Sequence, residues 1–319
     1  MSTMPRKTII DCDPGQDDAV ALVLAFASPD ELELLGITTV AGNVPLALTE
    51  RNARMMCDIT GRQDVPVYAG CAEPLQRPLI TAEAIHGSTG VNGIDVFEPE
   101  TPLQSMHAVD FIIETLLAAD ESSITLVPTG PLTNIAAALS RAPEIGSRIE
   151  QIVLMGGAMR EGGNSTPSAE FNILVDPHAA DVVFRCGRPI IAMGLDVSHQ
   201  VLSTKDRVDR MRALDNPVAI ATADMLSFFD RYDTKKYASK GAPLHDPCTV
   251  AWLLRPDLFD GKDCNISIET ESELTMGHTA VDFWHVTDKP INATWIHSID
   301  APGFYDLLVE RLARYGDAG

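Results

Sequence analysis

The sequence lacks three features that would each point to a particular class of protein. No apolar run approaches the ~20 residues that a transmembrane helix needs, so we expect no membrane-embedded part. The six cysteines are scattered and none forms a C-x-x-C pair, which argues against a zinc site and against a disulfide framework. Lysine and arginine form no cluster of the kind that binds nucleic acid or polyphosphate.

The excess of acidic residues narrows the possible partners further. With 24 basic and 45 acidic residues, the formal net charge is -21, so we expect neither nucleic acid nor an anionic membrane as a partner. A hydrophobic content of 45% and a charged content of 22% are typical of a folded globular protein. The first residues contain no apolar segment of the signal-peptide type, and we therefore expect a cytoplasmic protein with reduced thiols.

Short apolar runs alternate with helical patterns along the whole chain. This alternation predicts βαβ units, and hence an α/β fold with a doubly wound, mostly parallel sheet. We find no repeat and no linker, which indicates a single domain over residues 1–319, with residues 1–6 expected to be flexible. The expected strands are 8–10, 34–40, 124–127, 152–154 and 189–193. The expected helices are 18–27, 49–60, 109–118, 132–139, 177–184 and 248–254.

Four aspartates lie within eight residues at the end of the first expected strand: Asp11, Asp13, Asp17 and Asp18. An aspartate at a helix start is usually a cap, which is the structural alternative for Asp17 or Asp18 taken alone. Together, however, four carboxylates repel one another unless protons or a cation intervene. Hard cations such as Ca²⁺ bind several carboxylate and carbonyl oxygens, so the cluster indicates a metal site.

Polar residues also follow the other expected strands, where ligands bind in open α/β sheets. Asn43 follows the second strand. The carbonyl of Thr129 could face the site, because a glycine and prolines around it remove its usual helical partners. The segment 160–168, rich in glycine, proline, serine and threonine, is expected to be an active-site loop.

Glu170 and Asn172 alternate with Phe171, an arrangement that would place them on one face, at a spacing suited to sugar hydroxyls. Further on, Asp246 precedes a proline, which by itself is typical of a helix N-cap. His245 and His86 are candidates for chemistry. The structural alternative for each is an ordinary histidine, in the case of His86 within a glycine-rich loop that could be mobile.

These motifs together resemble those of the inosine–uridine-preferring nucleoside hydrolase family. Residues 11–18, DCDPGQDD, are similar to the family signature D-x-D-P-G-x-D-D. The later stretches PTGPLTNI at 128–135, LMGG at 154–157, AEFN at 169–172 and HDP at 245–247 resemble its further motifs in the same order. The resemblance runs from about Lys7 to the final helix.

The resemblance implies an enzyme that hydrolyses the N-glycosidic bond of free ribonucleosides, giving ribose and the base. It implies a homodimer or homotetramer and a Ca²⁺ held by Asp13, Asp18, the Thr129 carbonyl and Asp246. Asp13 would be the general base and His245 the candidate leaving-group acid, with Asp11 supporting the site from behind. The residues implied to contact the nucleoside are Asp17, Asn43, His86, Met155, Asn164, Glu170, Phe171 and Asn172. The base pocket is expected from Phe229, Asp233 and Tyr237.

Two other functions are weighed against this one. A phosphatase of the haloacid dehalogenase type also carries two aspartates two residues apart, but the Thr or Val that it needs two residues after the second aspartate is absent here. A calcium-dependent nucleoside-binding protein without catalysis would share the same ligands. His245 favours the inosine–uridine type over the purine-only branch, whose base pocket uses tryptophans, and the base preference itself stays open.

Overall fold

The computed structural model of the chain describes residues 4–237 and 240–316, except for the side chains of residues 230–237. Its central element is a nine-stranded sheet, beside which lies a separate pair of strands. The strands are β1 Arg6–Cys12, β2 Leu32–Thr39, β3 Val67–Ala69, β4 Leu103–Gln104, β5 Ile124–Pro128, β6 Ile149–Met155, β7 Ile190–Met193, β8 Phe259–Cys264, β9 Ile266–Ile268, β10 Thr279–Val281 and β11 Ala293–Ile299. The two strands β9 and β10 pair only with each other, antiparallel.

Helices cover both faces of the sheet. They are α1 Gln16–Phe26, α2 Leu46–Thr60, α3 Glu83–His86, α4 Ala108–Leu117, α5 Thr133–Arg141, α6 Phe171–Val175, α7 Pro177–Phe184, α8 Leu195–Ser198, α9 Lys205–Arg212, α10 Pro217–Tyr237, α11 Pro247–Leu254 and α12 Ala301–Ala313. None of the helices in the described part of the chain is long and apolar enough to cross a membrane.

The order of the strands fixes where a ligand can bind. The order is β4-β3-β2-β1-β5-β6-β7-β11-β8, and every neighbouring pair is parallel except β11 with β8. From β1 the chain builds outward through β4, and then returns to the other side of β1 with β5. The β1–β5 boundary is therefore the topological switch point, where a crevice opens at the carboxyl ends of the strands.

Helix α1 carries the first aspartate cluster into the interior. All eleven of its residues are buried, and it packs against α2, α10, α11 and α12. A helix that is apolar all round, as 19–26 is, has no face to present to water. Its N-terminus, with Asp17 and Asp18, is consequently held deep beside the switch point.

The predicted doubly wound, mostly parallel sheet in a single domain is confirmed. The five expected strands and six expected helices are all present, with ends that differ by at most three residues. Strand β1 begins at Arg6, so the last residue of the segment expected to be flexible belongs to the sheet. The very short strands β3 and β4 and the strands β8 to β11 were not predicted.

Candidate active site

Asp13 occupies a slot that only glycine backbone leaves open. A Cβ added at Gly42 would lie 2.1 Å from Asp13 Oδ2, and one added at Gly130 would lie 2.4 Å from Oδ1. The backbone N–H of Asn43 donates to Oδ2 at 2.7 Å, whereas Oδ1 is buried without a hydrogen-bond partner in the described structure. The turns after β2 and β5 thus fix this carboxylate and leave one oxygen available.

Asp18 has both a structural and an electrostatic role. As the third residue of α1 it accepts a hydrogen bond from the Gly15 N–H at 3.1 Å, so the cap expected as the structural alternative is present. It also accepts from the Thr129 hydroxyl at 2.7 Å and from the Asn43 side chain at 3.1 Å. These bonds tie the turn after β1 to those after β2 and β5.

Asp246 does not act as a cap, although it holds the N-cap position of α11. Its side chain makes no capping hydrogen bond. Instead one carboxylate oxygen each from Asp17, Asp18 and Asp246 lies within 4.8 Å of the others, and all three residues are buried. Asp17 Oδ1, like Asp13 Oδ1, has no hydrogen-bond partner within the described residues.

This donor set fits a hard divalent cation. Every candidate ligand atom is an oxygen, several are carboxylates, and unpartnered buried oxygens remain to be satisfied. The structure brings Asp17 into the carboxylate group, whereas the resemblance implied it as a contact to the ribose. The Thr129 carbonyl accepts from Asn172 Nδ2 at 2.6 Å and keeps a second lone pair.

Crowding of buried carboxylates shifts their titration strongly. Burial, with Asp18 adding repulsion, raises the pKa of Asp17 to about 7. Burial also raises the pKa values of Asp13 and Asp246 well above their ordinary range, with the neighbouring aspartates contributing. Carboxylates this crowded carry full charge only if a cation compensates them. A cation bound among these aspartates would compensate their negative charge.

Asp11 lies behind this group, at the end of β1. Its Oδ1 accepts hydrogen bonds from the Thr38 hydroxyl at 2.6 Å and from Asn134 Nδ2 at 2.8 Å. Burial is the main cause that raises its pKa to about 7. Asp11, like Asp13 and Asp18, is not among the described residues that line the cavity, and its Oδ2 is buried without a hydrogen-bond partner in the described structure.

The expectation that Glu170 and Asn172 share a face of an extended segment is wrong. Glu170 is the N-cap of α6, and its carboxylate accepts from the backbone N–H groups of Asn172 at 2.8 Å and Ile173 at 3.2 Å. It also accepts from the Gly157 N–H at 2.9 Å. The carboxylate satisfies free N–H groups at the helix start, which favours the helix over an extended strand.

Asn172 and Asn164 both line the site but are held in place by different hydrogen bonds. The Asn172 amide donates to the carbonyls of Thr129 and Met155, at 2.6 and 3.2 Å, which leaves its oxygen free to accept. Asn164, in the loop predicted at 160–168, accepts from the Phe171 N–H at 3.0 Å. The loop lines the cavity from Glu161 to Ser165.

His86 and Phe229 form an aromatic wall. The two rings stack with centroids 5.4 Å apart and an interplanar angle of 27°. His86 ends the short helix α3 instead of lying in a loop, is buried, and its Nδ1 lies 2.8 Å from Gln16 Oε1. Asp233 and Tyr237, expected in the same wall, have side chains outside the described part.

His245 lies next to two groups that sequence reasoning did not single out. Its Nδ1 is 2.7 Å from the Ser198 hydroxyl, and its ring centroid is 5.9 Å from that of His199. His199 in turn lies 3.0 Å from Glu161 of the loop. Burial lowers the pKa of His245 to about 3, with His199 and His86 contributing. Only the position of Ser198 and His199 after β7 hinted at a role for them.

These groups surround one cavity of about 520 Å³ at the switch point. Its walls include Asp17 and Asp246, several asparagine side chains and the aromatic wall, whereas Asp13 and Asp18 are not among the described lining residues. Of the residues implied to act, those lining it are Asp17, Asn43, His86, Thr129, Met155, Asn164, Glu170, Phe171, Asn172, Phe229, His245 and Asp246. No lysine or arginine is among the lining residues that the structure describes. The size suits a molecule such as a nucleoside.

Comparison with known proteins gives a consistent result. The model of the family described as inosine-uridine preferring nucleoside hydrolase matches residues 8–306. The chain is 53% identical over 308 residues to an uncharacterized protein of Schizosaccharomyces pombe, covering 97% of this chain and 99% of that protein. It is 50% identical to the pyrimidine-specific ribonucleoside hydrolase RihA of Shewanella sp. (strain MR-7), covering 98% of each. The solved structure of a purine-preferring ribonucleoside hydrolase from Gardnerella vaginalis superposes with a TM-score of 0.91 at 35% identity, covering 98% of this chain and 100% of that one.

Proposed function

This chain belongs to the inosine-uridine preferring nucleoside hydrolase family, and from that premise we propose that it is a Ca²⁺-dependent hydrolase of free ribonucleosides of the inosine and uridine type. The observation that carries the proposal is the group of buried carboxylates, with unpartnered oxygens, beside a cavity that is also lined by an aromatic pair. The carboxylates suit a cation and ribose hydroxyls, and the aromatic pair suits a planar base.

Four groups are proposed to hold the Ca²⁺: Asp13, Asp18, the Thr129 carbonyl and Asp246. A cation held there would supply Lewis acidity at the attacking water. Asp13, with its unpartnered Oδ1, would be the general base for that water. Asp17 and Asn172 hold the ribose hydroxyls, with Asn43 beside them. Asp11 supports the cluster from β1.

The remaining contacts orient the sugar and stabilise its developing charge. Asn164 and Glu170 accept from the 5'-hydroxyl, and Met155 and Phe171 line the sugar pocket. The ribose becomes oxocarbenium-like as the glycosidic bond breaks, and the surrounding carboxylates stabilise that positive charge. Because the relative named pyrimidine-specific is 50% identical and the one named purine-preferring is 35% identical, we expect uridine to react faster than inosine. We further propose a cytoplasmic homodimer or homotetramer.

The departing base is stabilised by His245. The pKa of about 3 keeps the free imidazole neutral. The Ser198 hydroxyl lies 2.7 Å from Nδ1, and if it donates there the ring proton lies on Nε2. That proton is then available to the base. Incubation with p-nitrophenyl phosphate beside uridine separates this function from a phosphatase, which would release phosphate and no ribose.

His245→Ala should lower kcat for inosine by about 10²–10⁴-fold, the usual contribution of a positioned acid. Hydrolysis of p-nitrophenyl riboside should change little, because its phenolate departs without a proton. Ser198→Ala is the matched control, since it removes only the hydroxyl at Nδ1 and should cost about tenfold on inosine. Equal losses of both substrates at saturating Ca²⁺ would make His245 a structural neighbour of Asp246 instead.

Nucleoside 5'-phosphates should be poor substrates. The Glu170 carboxylate faces the expected 5'-position, and no cation among the described lining residues offsets a phosphate. Like charges brought together cost several kcal/mol, so kcat/KM for inosine 5'-monophosphate should be about 10²-fold or more below that for inosine. Glu170→Gln should reduce the ratio of kcat/KM for inosine over that for inosine 5'-monophosphate, even if both values of kcat/KM change. An unchanged ratio in that variant would place the 5'-group elsewhere.

A further inference from the structure

Gln16 lies inside the aspartate motif, yet the proposed chemistry gives it no task. It is completely buried, and its Nε2 donates to the carbonyls of His86 at 2.9 Å and Asn92 at 3.0 Å. Carbonyl oxygens only accept hydrogen bonds. The NH₂ end of the amide must therefore face these two carbonyls, and this fixes which end of the amide is the oxygen.

The oxygen end of Gln16 determines the tautomer of His86. Gln16 Oε1 lies 2.8 Å from His86 Nδ1 and can only accept a hydrogen bond. Nδ1 must therefore carry the proton. Burial lowers the pKa of His86 to about 4, so the ring is neutral at neutral pH. In a neutral ring with the proton on Nδ1, Nε2 carries a lone pair and can only accept.

His86 Nε2 is open to the cavity. The ring lines the cavity and stacks on Phe229, and no hydrogen bond to Nε2 is formed by the described residues. Nε2 is also absent from the side-chain atoms of the described structure that are fully buried without a partner. A bound base is therefore the available partner for this lone pair.

Other residues of the turn after β1 also hold the His86 segment in place. A Cβ on Gly15 would lie 2.4 Å from His86 Nδ1, so only glycine allows the ring to approach. Asn52 adds a second bridge, because its Nδ2 donates to the carbonyls of Pro14 at 3.0 Å and Thr89 at 2.8 Å. The segment carrying His86 is thus fixed to the turn that carries the aspartates.

We propose that Gln16 is a positioning residue that fixes His86 as a hydrogen-bond acceptor, so that the site selects nucleosides whose base presents an N–H there. The inference rests on the proposed function for the identity of the ligand. Uracil and hypoxanthine carry a ring N–H of this kind. A base that presents a ring nitrogen lone pair at the same edge would place it against the lone pair of His86 Nε2. The complex would then lack one buried hydrogen bond and bind more weakly.

The first test is spectroscopic and requires no turnover. The ¹⁵N spectrum of the imidazoles, with His86 assigned by comparison with His86→Gln, should show the proton on Nδ1. Gln16→Glu keeps an acceptor at this position and should keep that tautomer, whereas Gln16→Met removes it and should shift the ring towards Nε2–H. Nε2–H in the wild type, or no change in Gln16→Met, overturns the positioning role. A purely structural bridge would instead be broken equally by both substitutions, because both lose the donors to His86 and Asn92.

The second test is kinetic and addresses selection of the base. The ratio of kcat/KM for uridine over 3-methyluridine, which lacks the N3–H, should fall about tenfold in Gln16→Met and persist in Gln16→Glu. If the added methyl group is rejected only for its size, the ratio stays the same in all three proteins, and the proposed selection is refuted. A protein that shows the Nδ1–H tautomer but hydrolyses neither nucleoside would refute the proposed function and leave the Gln16 role standing.

Discussion

Asp13→Asn should lower kcat for uridine by about 10⁴-fold or more. A positioned base is worth about 10²–10⁴-fold, and the substitution also removes one charge from the proposed cation ligands. The amide has nearly the shape of the carboxylate, so it fits between Gly42 and Gly130 and still accepts from the Asn43 N–H. Steady-state kinetics at saturating Ca²⁺ measure the loss without a change in packing.

Asp11→Asn is the matched control for this experiment. It removes the same charge two residues away, but Asp11 accepts hydrogen bonds from Thr38 and Asn134 and is not among the proposed cation ligands. Residues behind a metal site typically contribute 10–100-fold, so the control should retain at least about 1% of the activity. Equal losses in both variants would mean that the total charge of the cluster matters, and not the position of Asp13.

Removal of the cation should reduce hydrolysis to background, and Ca²⁺ should restore it. Asp13 Oδ1 and Asp17 Oδ1 are buried and have no hydrogen-bond partner within the described structure, so the cation is the group expected to bind them. Mg²⁺ should restore less, because it is smaller and demands octahedral geometry. Full activity in protein shown by elemental analysis to be free of metal would exclude the proposed role of the cation.

The same removal should make stability depend on pH in a defined direction. In the cation-free protein the pKa values of Asp11 and Asp17 are raised from 3.8 to about 7, mainly by burial. A raised folded-state pKa contributes stability that is complete below about pH 4 and lost as the pH rises through 7. Saturating Ca²⁺ should therefore raise Tm by roughly 5 °C or more at pH 8 and by less at pH 5. An equal shift at both values would contradict the carboxylate cluster as the binding site.

Local sequence patterns were sufficient to predict the five strands β1, β2, β5, β6 and β7 and the polar groups that follow them. Each expected strand in the centre of the sheet is a run of apolar residues followed by a turn, and the site residues stand directly after those runs. Asp13, Asn43 and Thr129 were identified in this way, because parallel strands bring their carboxyl ends to one edge. The edge strands β3 and β4 are three and two residues long, too short to give a pattern.

Contacts between distant segments could not be predicted. The alternation of Glu170 and Asn172 suggested an extended segment, but a carboxylate that caps the N–H groups of Asn172 and Ile173 favours a helix start. Glu161 and His199 are separated by 38 residues, and nothing local marks either one as a partner of the other. Gln16 looked like a variable position within the motif until His86, 70 residues away, was found against it.

Release of ribose from a panel of inosine, adenosine, guanosine, uridine and cytidine tests the central claim most directly. Purified protein with Ca²⁺ should release reducing sugar and free base in equal amounts from uridine and inosine, and Asp13→Asn prepared in parallel should release neither. If the protein binds uridine in a calorimeter but liberates no ribose from any of the five, it is a nucleoside-binding protein and the hydrolase account is wrong.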